Sequence, residues 1–117
     1  MHIEQFRDFC LGLKGVTEEF PFGPDTLVYK VMGKLFALTD INSFDTVNLK
    51  CDPEKAVELR ERYDGVAPGY HMNKKHWNTV MTQGGGISDK LLYEWITDSY
   101  NLVVASLPKK VRDELLG

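Results

Sequence analysis

The stretch Thr26-Leu27-Val28-Tyr29-Lys30-Val31-Met32-Gly33-Lys34-Leu35-Phe36-Ala37-Leu38-Thr39 decides the fold. Residues 26–31 and 34–39 are two β-rich runs separated by Met32-Gly33. That pattern signals a hairpin, in which two strands pair antiparallel across a tight turn. Downstream, residues 45–50 alternate Val47 and Leu49 against polar neighbours. This spacing predicts a third strand with one buried face.

Working outward, Ile3, Phe6, Phe9, Cys10 and Leu13 recur at helical spacing, so residues 3–13 read as an amphipathic helix ending near Gly15. Phe20-Pro21-Phe22-Gly23-Pro24-Asp25 is a loop, because two prolines and a glycine cannot sustain helix or central strand. Asp52-Pro53-Glu54 opens a second helix. Asp52 can cap free N–H groups, Pro53 needs no donor there, and Glu54 suits the positive helix end. That helix is expected to run to about Tyr63 and stop at Asp64-Gly65. Residues 66–70, broken by Pro68-Gly69, suit only a short or edge strand, and 77–81 suit another. Ser88 caps a long helix with a stripe of Leu91, Leu92, Trp95, Ile96, Ser99, Leu102 and Val103. Pro108 restarts a short helix over 109–115. The order α-βββ-α-ββ-α-α implies one α+β domain over 1–117, an antiparallel sheet packed against helices on one face.

The composition is that of a folded chain: 43% hydrophobic and 26% charged over 117 residues, which argues against disorder. The formal net charge of -3 argues against indiscriminate coating of nucleic acid or acidic membrane, but leaves room for a local basic site. No apolar stretch approaches membrane-spanning length and no leader pattern opens the chain, so a cytoplasmic protein without membrane contact is expected. Cys10 falls on the apolar face of the first helix and Cys51 at a strand end. Both read as free thiols in a reducing compartment.

No Asp or Glu occurs between Asp64 and Asp89, in an otherwise acidic chain. Inside that stretch lies Gly69-Tyr70-His71-Met72-Asn73-Lys74-Lys75-His76-Trp77-Asn78-Thr79-Val80. Lys74 and Lys75 are point charges suited to phosphate. Asn73, Asn78 and Thr79 can donate hydrogen bonds, and Tyr70 or Trp77 offers a stacking face. With His71, His76 and Lys34 of the first hairpin turn, these form the candidate anion-binding set. Trp77 is expected to be mainly structural, sharing a strand face with Thr79 and Met81 while Asn78 and Val80 take the other. Other chemistries are thinly represented. His71 and His76 lie five apart with no cysteine near in sequence, short of the four ligands a structural zinc wants. Cys51 with His71 or His76 makes a formal Cys–His pair without a nucleophile signature. Glu18-Glu19 reads as solvated surface charge. Gly84-Gly85-Gly86 reads as a flexible connection, since it lacks phosphate-loop spacing.

The chain resembles the MmcQ/YjbR family of small bacterial proteins along nearly its whole length. The resemblance rests on Glu19-x-Pro21-Phe22-Gly23, on Val28-x-Lys30-Val31-x-Gly33-Lys34-x-Phe36-Ala37, and on Leu49-Lys50-Cys51-Asp52-Pro53-Glu54. Most specific is the run Pro68 to Val80, with the core Asn73-Lys74-x-His76-Trp77-x-Thr79-Val80. Ser99-Tyr100 and Leu107-Pro108 close the match. The resemblance implies a frataxin-like (CyaY-like) two-layer α+β sandwich. It also implies a non-enzymatic DNA-binding protein, without cofactor or metal, that uses a "double wing" of two turns. Gln83-Gly84-Gly85-Gly86, where the family pattern implies a shorter turn, departs from it and bears on the shape of one wing. A sequence pI near 5.6 and only four arginines imply weak, salt-sensitive binding with little sequence preference. The alternatives are a frataxin-like metal or small-ligand binder using Glu4, Asp8, Glu18 and Glu19, and a protein–protein adaptor. The first helix offers only Glu4 and Asp8 on its polar face, too few for an acidic ridge.

Overall fold

The Met32-Gly33 hairpin forms as its sequence predicts. Val31 pairs with Lys34 across a two-residue loop. Both loop residues have positive φ, 48° at Met32 and 85° at Gly33. That is the type I′ geometry whose twist matches the flanking strands. The computed structural model describes residues 1–70 and 72–117. Its elements are α1 (Ile3–Leu11), β1 (Val16–Glu19), β2 (Thr26–Val31), β3 (Lys34–Asp40), β4 (Thr46–Lys50), α2 (Pro53–Arg62), β5 (Val66–Pro68), β6 (Trp77–Met81), α3 (Asp89–Ser106) and α4 (Lys109–Leu116).

The strands form one open sheet in the order β1-β2-β3-β4-β6-β5. Every neighbouring pair is antiparallel. Two rows of residues run straight across it and face the helices. One is Leu27, Thr39, Val47, Val80 and Val66; the other is Tyr29, Ala37, Leu49 and Asn78. Onto these rows pack Phe6 and Cys10 of α1, Leu59 of α2, Leu92, Trp95, Ile96 and Val103 of α3, and Leu115 of α4, in a single core. The expected α+β architecture, with helices on one face, is therefore the observed one. Leu102 is the exception in the α3 stripe, at 36% exposed.

Two local expectations need correction. The first helix stops at Leu11 instead of continuing to residue 13, and the chain then forms β1, an edge strand the sequence reading lacked. β1 is four residues long with no clean alternation, and pairing to β2 supplies the order that its own pattern does not. As a result Glu18 is not a solvated charge. Its carboxylate accepts hydrogen bonds from Arg7 Nη2 at 2.8 Å and from the Tyr29 hydroxyl at 2.8 Å. The pairing holds the Arg7 guanidinium further above its usual range, while burial, followed by the Glu18 contact, pushes the Tyr29 phenol up.

The second correction concerns Gly84-Gly85-Gly86, which lies at the opposite end of β6 from the 69–76 turn and shapes no wing. It crosses the start of β5, where the Gly65 N–H donates to the Gly85 carbonyl at 3.0 Å. A Cβ on Gly85 would stand 2.5 Å from the Gly65 Cα, so the crossing requires glycine on both sides.

Between β3 and β4 the ladder ends early. Pairing runs Thr39–Val47, Leu38–Asn48 and Ala37–Leu49, and the register would next set Phe36 opposite Lys50. A hydroxyl intervenes there. Ser99 Oγ, fully buried on α3, donates to the Phe36 carbonyl at 2.6 Å and accepts from the Lys50 N–H at 2.9 Å. Next to it Tyr100 stacks edge-on against Phe36 and donates its hydroxyl to the Lys14 carbonyl at 2.5 Å. Ser99→Ala leaves a buried carbonyl and a part-buried N–H without their partner. It should lower unfolding free energy by about 1–3 kcal/mol in urea titration, whereas Ser106→Ala, at the exposed end of the same helix, should change it far less.

Candidate nucleic-acid interface

β1, β3 and β6 begin, and β2, β4 and β5 end, at one common end of the sheet. The β2–β3 hairpin turn, the β4–α2 junction and the 69–76 segment between β5 and β6 all project there. Lys34 stands at the first turn and Lys74 and Lys75 in the last, all exposed. Lys14, from the α1–β1 turn, and Lys50, ending β4, stand at the same end. They were absent from the candidate set because they are far apart in sequence and gather only through strand order. His71 lies outside the described residues.

Backbone and side-chain hydrogen bonds build the 69–76 segment. The Asn73 carbonyl accepts from the N–H groups of His76 at 3.2 Å and Trp77 at 3.0 Å. Asn73 Oδ1 accepts from the Lys75 N–H at 2.9 Å, the local side-chain turn for which Asn is suited. Asn73 is thereby a turn-former whose Nδ2 donors have no partner among the described residues. The Gly69 N–H donates to the Trp77 carbonyl at 2.8 Å. A Cβ on Gly69 would meet the Trp77 Cβ at 2.8 Å, so the chain crosses the tryptophan closely only as glycine. Lys74 Nζ folds back and donates to the Gly69 carbonyl at 3.1 Å, leaving two of its three donors. The Cys51 N–H donates to the His76 carbonyl at 2.7 Å and ties the segment to the β4–α2 junction.

Arg60 of α2 fastens the segment from the other side. Its Nε donates to Asn78 Oδ1 at 2.6 Å, and its Nη2 donates to the carbonyls of Lys74 and Trp77. No sequence signal marked this residue. Only the fold brings it to the turn fourteen residues on.

Trp77 and Thr79 lie on the face opposite the helices, while Asn78 and Val80 face α2 and α3, as the alternation required. Trp77 is nevertheless only 9% exposed, and it stands outside the main core. On that same face the Tyr70 N–H donates to Thr79 Oγ1 at 2.9 Å, which donates to Asn48 Oδ1 at 2.6 Å. The row Val28, Leu38, Asn48, Thr79 and Ala67 thus crosses a face that no helix covers.

The other chemistries acquire definite settings. Among the described residues no three His, Cys, Asp or Glu side chains gather as a metal cage. Of the carboxylates required by a metal-binding reading, Glu18 is taken by Arg7 and Tyr29, and Glu19 by Lys30 at 3.4 Å and Thr17 at 2.8 Å. Cys10 and Cys51 are both free. Burial pushes both thiols up; at Cys51 the nearby Lys55 opposes this and Asp52 and Asp98 add to it. Among the described residues no helix is long and apolar enough to cross a membrane.

Two outcomes follow. Trp77→Ala should destabilise the fold by about 3–5 kcal/mol, the usual cost of emptying a buried tryptophan site, and an unchanged melting temperature would refute the structural assignment. Raised thiol pKa values mean less thiolate at any pH below them. Alkylation of the folded protein at pH 8 should therefore be slow at Cys51 and slower still at fully buried Cys10, with both labelled rapidly in denaturant. Rapid labelling of native Cys51 would show an activated thiol.

Comparison with known proteins agrees with this fold. The family model YjbR matches residues 11–102. The chain is 46% identical over 108 residues to YbdF of Escherichia coli O157:H7, covering 92% of this chain and 88% of that one. It is 31% identical over 117 residues to YjbR of Escherichia coli strain K12, covering 99% and 98%. Among solved structures, a Deinococcus radiodurans protein with the domain DUF419 superposes with a TM-score of 0.89 at 41% identity, over 97% of this chain and 86% of that one. A Pseudomonas syringae protein superposes with a TM-score of 0.74 at 31% identity, over 87% and 98%. Matching in sequence over most of its length and in fold, the chain belongs to the YjbR family.

Proposed function

We propose that this protein is a non-enzymatic DNA-binding module that holds phosphate backbone against the lysine-bearing end of its sheet. One observation carries the reading: two basic turns, at Lys34 and at Lys74-Lys75, project from the same end. Their hairpins are three strand spacings apart, about 14 Å, close to the width of about 12 Å of a duplex major groove. The arrangement corresponds to the two wings implied by the family resemblance.

Three further features support it. Lys50 stands between the turns, and Lys14 extends the positive end beyond the first of them. The absence of acid from 65 to 88 keeps the local field positive in a chain of net charge -3. Among the described residues, Lys34, Lys74 and Lys75 have no carboxylate within ion-pair distance. Asn73 Nδ2 and His76 add donors, with His71 beside them in sequence. None of these groups reads base edges in a fixed frame, so binding is weak and nearly independent of sequence.

Fluorescence anisotropy on duplex and single-stranded DNA at several salt concentrations tests the reading. Each lost phosphate contact removes about 0.9 from the slope of log affinity against log salt for duplex DNA. Lys74→Ala with Lys75→Ala should flatten the slope by roughly 2 and leave the fold intact. No binding to any DNA at low salt would remove the reading. An unchanged slope in the double variant would move the surface to Lys109, Lys110 and Arg112.

A further inference from the structure

The Arg60 guanidinium is half-buried and has no carboxylate within ion-pair distance among the described residues. Its three hydrogen bonds all go to neutral oxygens: Asn78 Oδ1 and the carbonyls of Lys74 and Trp77. A guanidinium carries five N–H donors in a rigid fork. Two remain on Nη1, which forms no hydrogen bond among the described residues. The side chain is thus fixed in place while its charge stays unneutralised. Charged groups partly withdrawn from water usually acquire a counter-charge, and here the described residues supply none within ion-pair distance.

The same side chain lines an open recess of about 500 Å³ with Pro53, Glu54, Val57 and Lys75. Pro53, Val57 and Arg60 recur along one face of α2, so the floor is apolar and ends in the guanidinium. Lys75 forms the facing wall. Its N–H is used by Asn73, but its ammonium makes no hydrogen bond or ion pair among the described residues. Glu54 lies six residues before Arg60, about 9 Å along the helix axis. Its carboxylate opposes a second anionic group at that end.

We infer that Arg60 and Lys75 form a site for a single phosphate group, with the Arg60 fork giving directional contacts and the Lys75 ammonium a mobile charge. The inference deepens the interface reading and rests on it only for the source of the phosphate, a nucleic-acid backbone as against a free phosphorylated molecule. Arg60 then has two tasks. It shapes the turn through Nε and Nη2 and meets the ligand through Nη1.

The test is nitrogen–proton NMR of the whole chain at low ionic strength, titrated with inorganic phosphate, with a short single-stranded DNA, and with matched chloride. The Arg60 Nε–H signal and the Lys75 amide should move saturably with both phosphate probes and not with chloride. Lys75→Ala, which removes no contact of the fold, should weaken phosphate binding about tenfold, the loss of one charge-assisted contact; Lys109→Ala should not. Phosphate saturation at these two residues without DNA binding supports the site and removes the DNA reading. DNA binding that leaves both signals still overturns the site and spares the DNA reading. Shifts no larger than those in chloride, or an unchanged affinity in Lys75→Ala, also overturn the site.

Discussion

The hydroxyl of Ser99 is the contact on which the arrangement of the sheet's lysine-bearing end depends. β3 and β4 stop pairing at Ala37 and Leu49, and without a substitute partner the Phe36 carbonyl and Lys50 N–H would stand open. A helix side chain closes that gap with one donor and one acceptor bond. Only a short hydroxyl does so without widening the gap between α3 and the sheet. The strand ends that carry Lys34 and Lys50 are thereby held to α3, and Tyr100, the next residue, holds the backbone of Lys14. Three of the gathered lysines are thus positioned through two adjacent residues of one helix.

The remaining two are positioned through Arg60. The division explains how an acidic chain keeps a positive end. The lysines are carried on turns whose shape is set by neutral groups: the Asn73 amide, the Gly69 and Trp77 backbone, and carbonyls bound by a guanidinium. Several carboxylates are paired with other groups. Glu18 serves Arg7 and Tyr29, and Asp98 pairs with Lys55 at 3.1 Å. The Lys55 pair is solvent-exposed and adds little stability, but its hydrogen bond holds the ammonium further above its usual range and keeps Asp98 occupied.

Most of the fold was legible because its signals are local. The Met32-Gly33 turn, the Asp52 and Ser88 caps and the period of α3 are each written within a few residues, and each cap forms the expected bond. β1 was not legible because four residues with a mixed pattern become a strand only by pairing with β2. The candidate site was half legible. Lys74, Lys75 and Lys34 could be proposed from charge and turn position, while Lys14, Lys50 and Arg60 become neighbours only through strand order and helix placement. Trp77 was expected to be buried, and it is, but beneath the chain crossing at Gly69 on the helix-free face instead of in the central core. No periodicity rule distinguishes those two kinds of burial.

The two margins of the sheet have a consequence for behaviour at high concentration. An open sheet exposes backbone donors and acceptors along its outermost strands, and a second chain can extend it there. β5 has three residues and ends in Pro68, which offers no N–H. β1 has four, with Glu18 tied to Arg7 and Glu19 to Lys30 along it. Neither margin offers a long, flat, uncharged template. The protein therefore has little opening for strand-by-strand growth into fibrils, although one whole face of its sheet lies uncovered by helices.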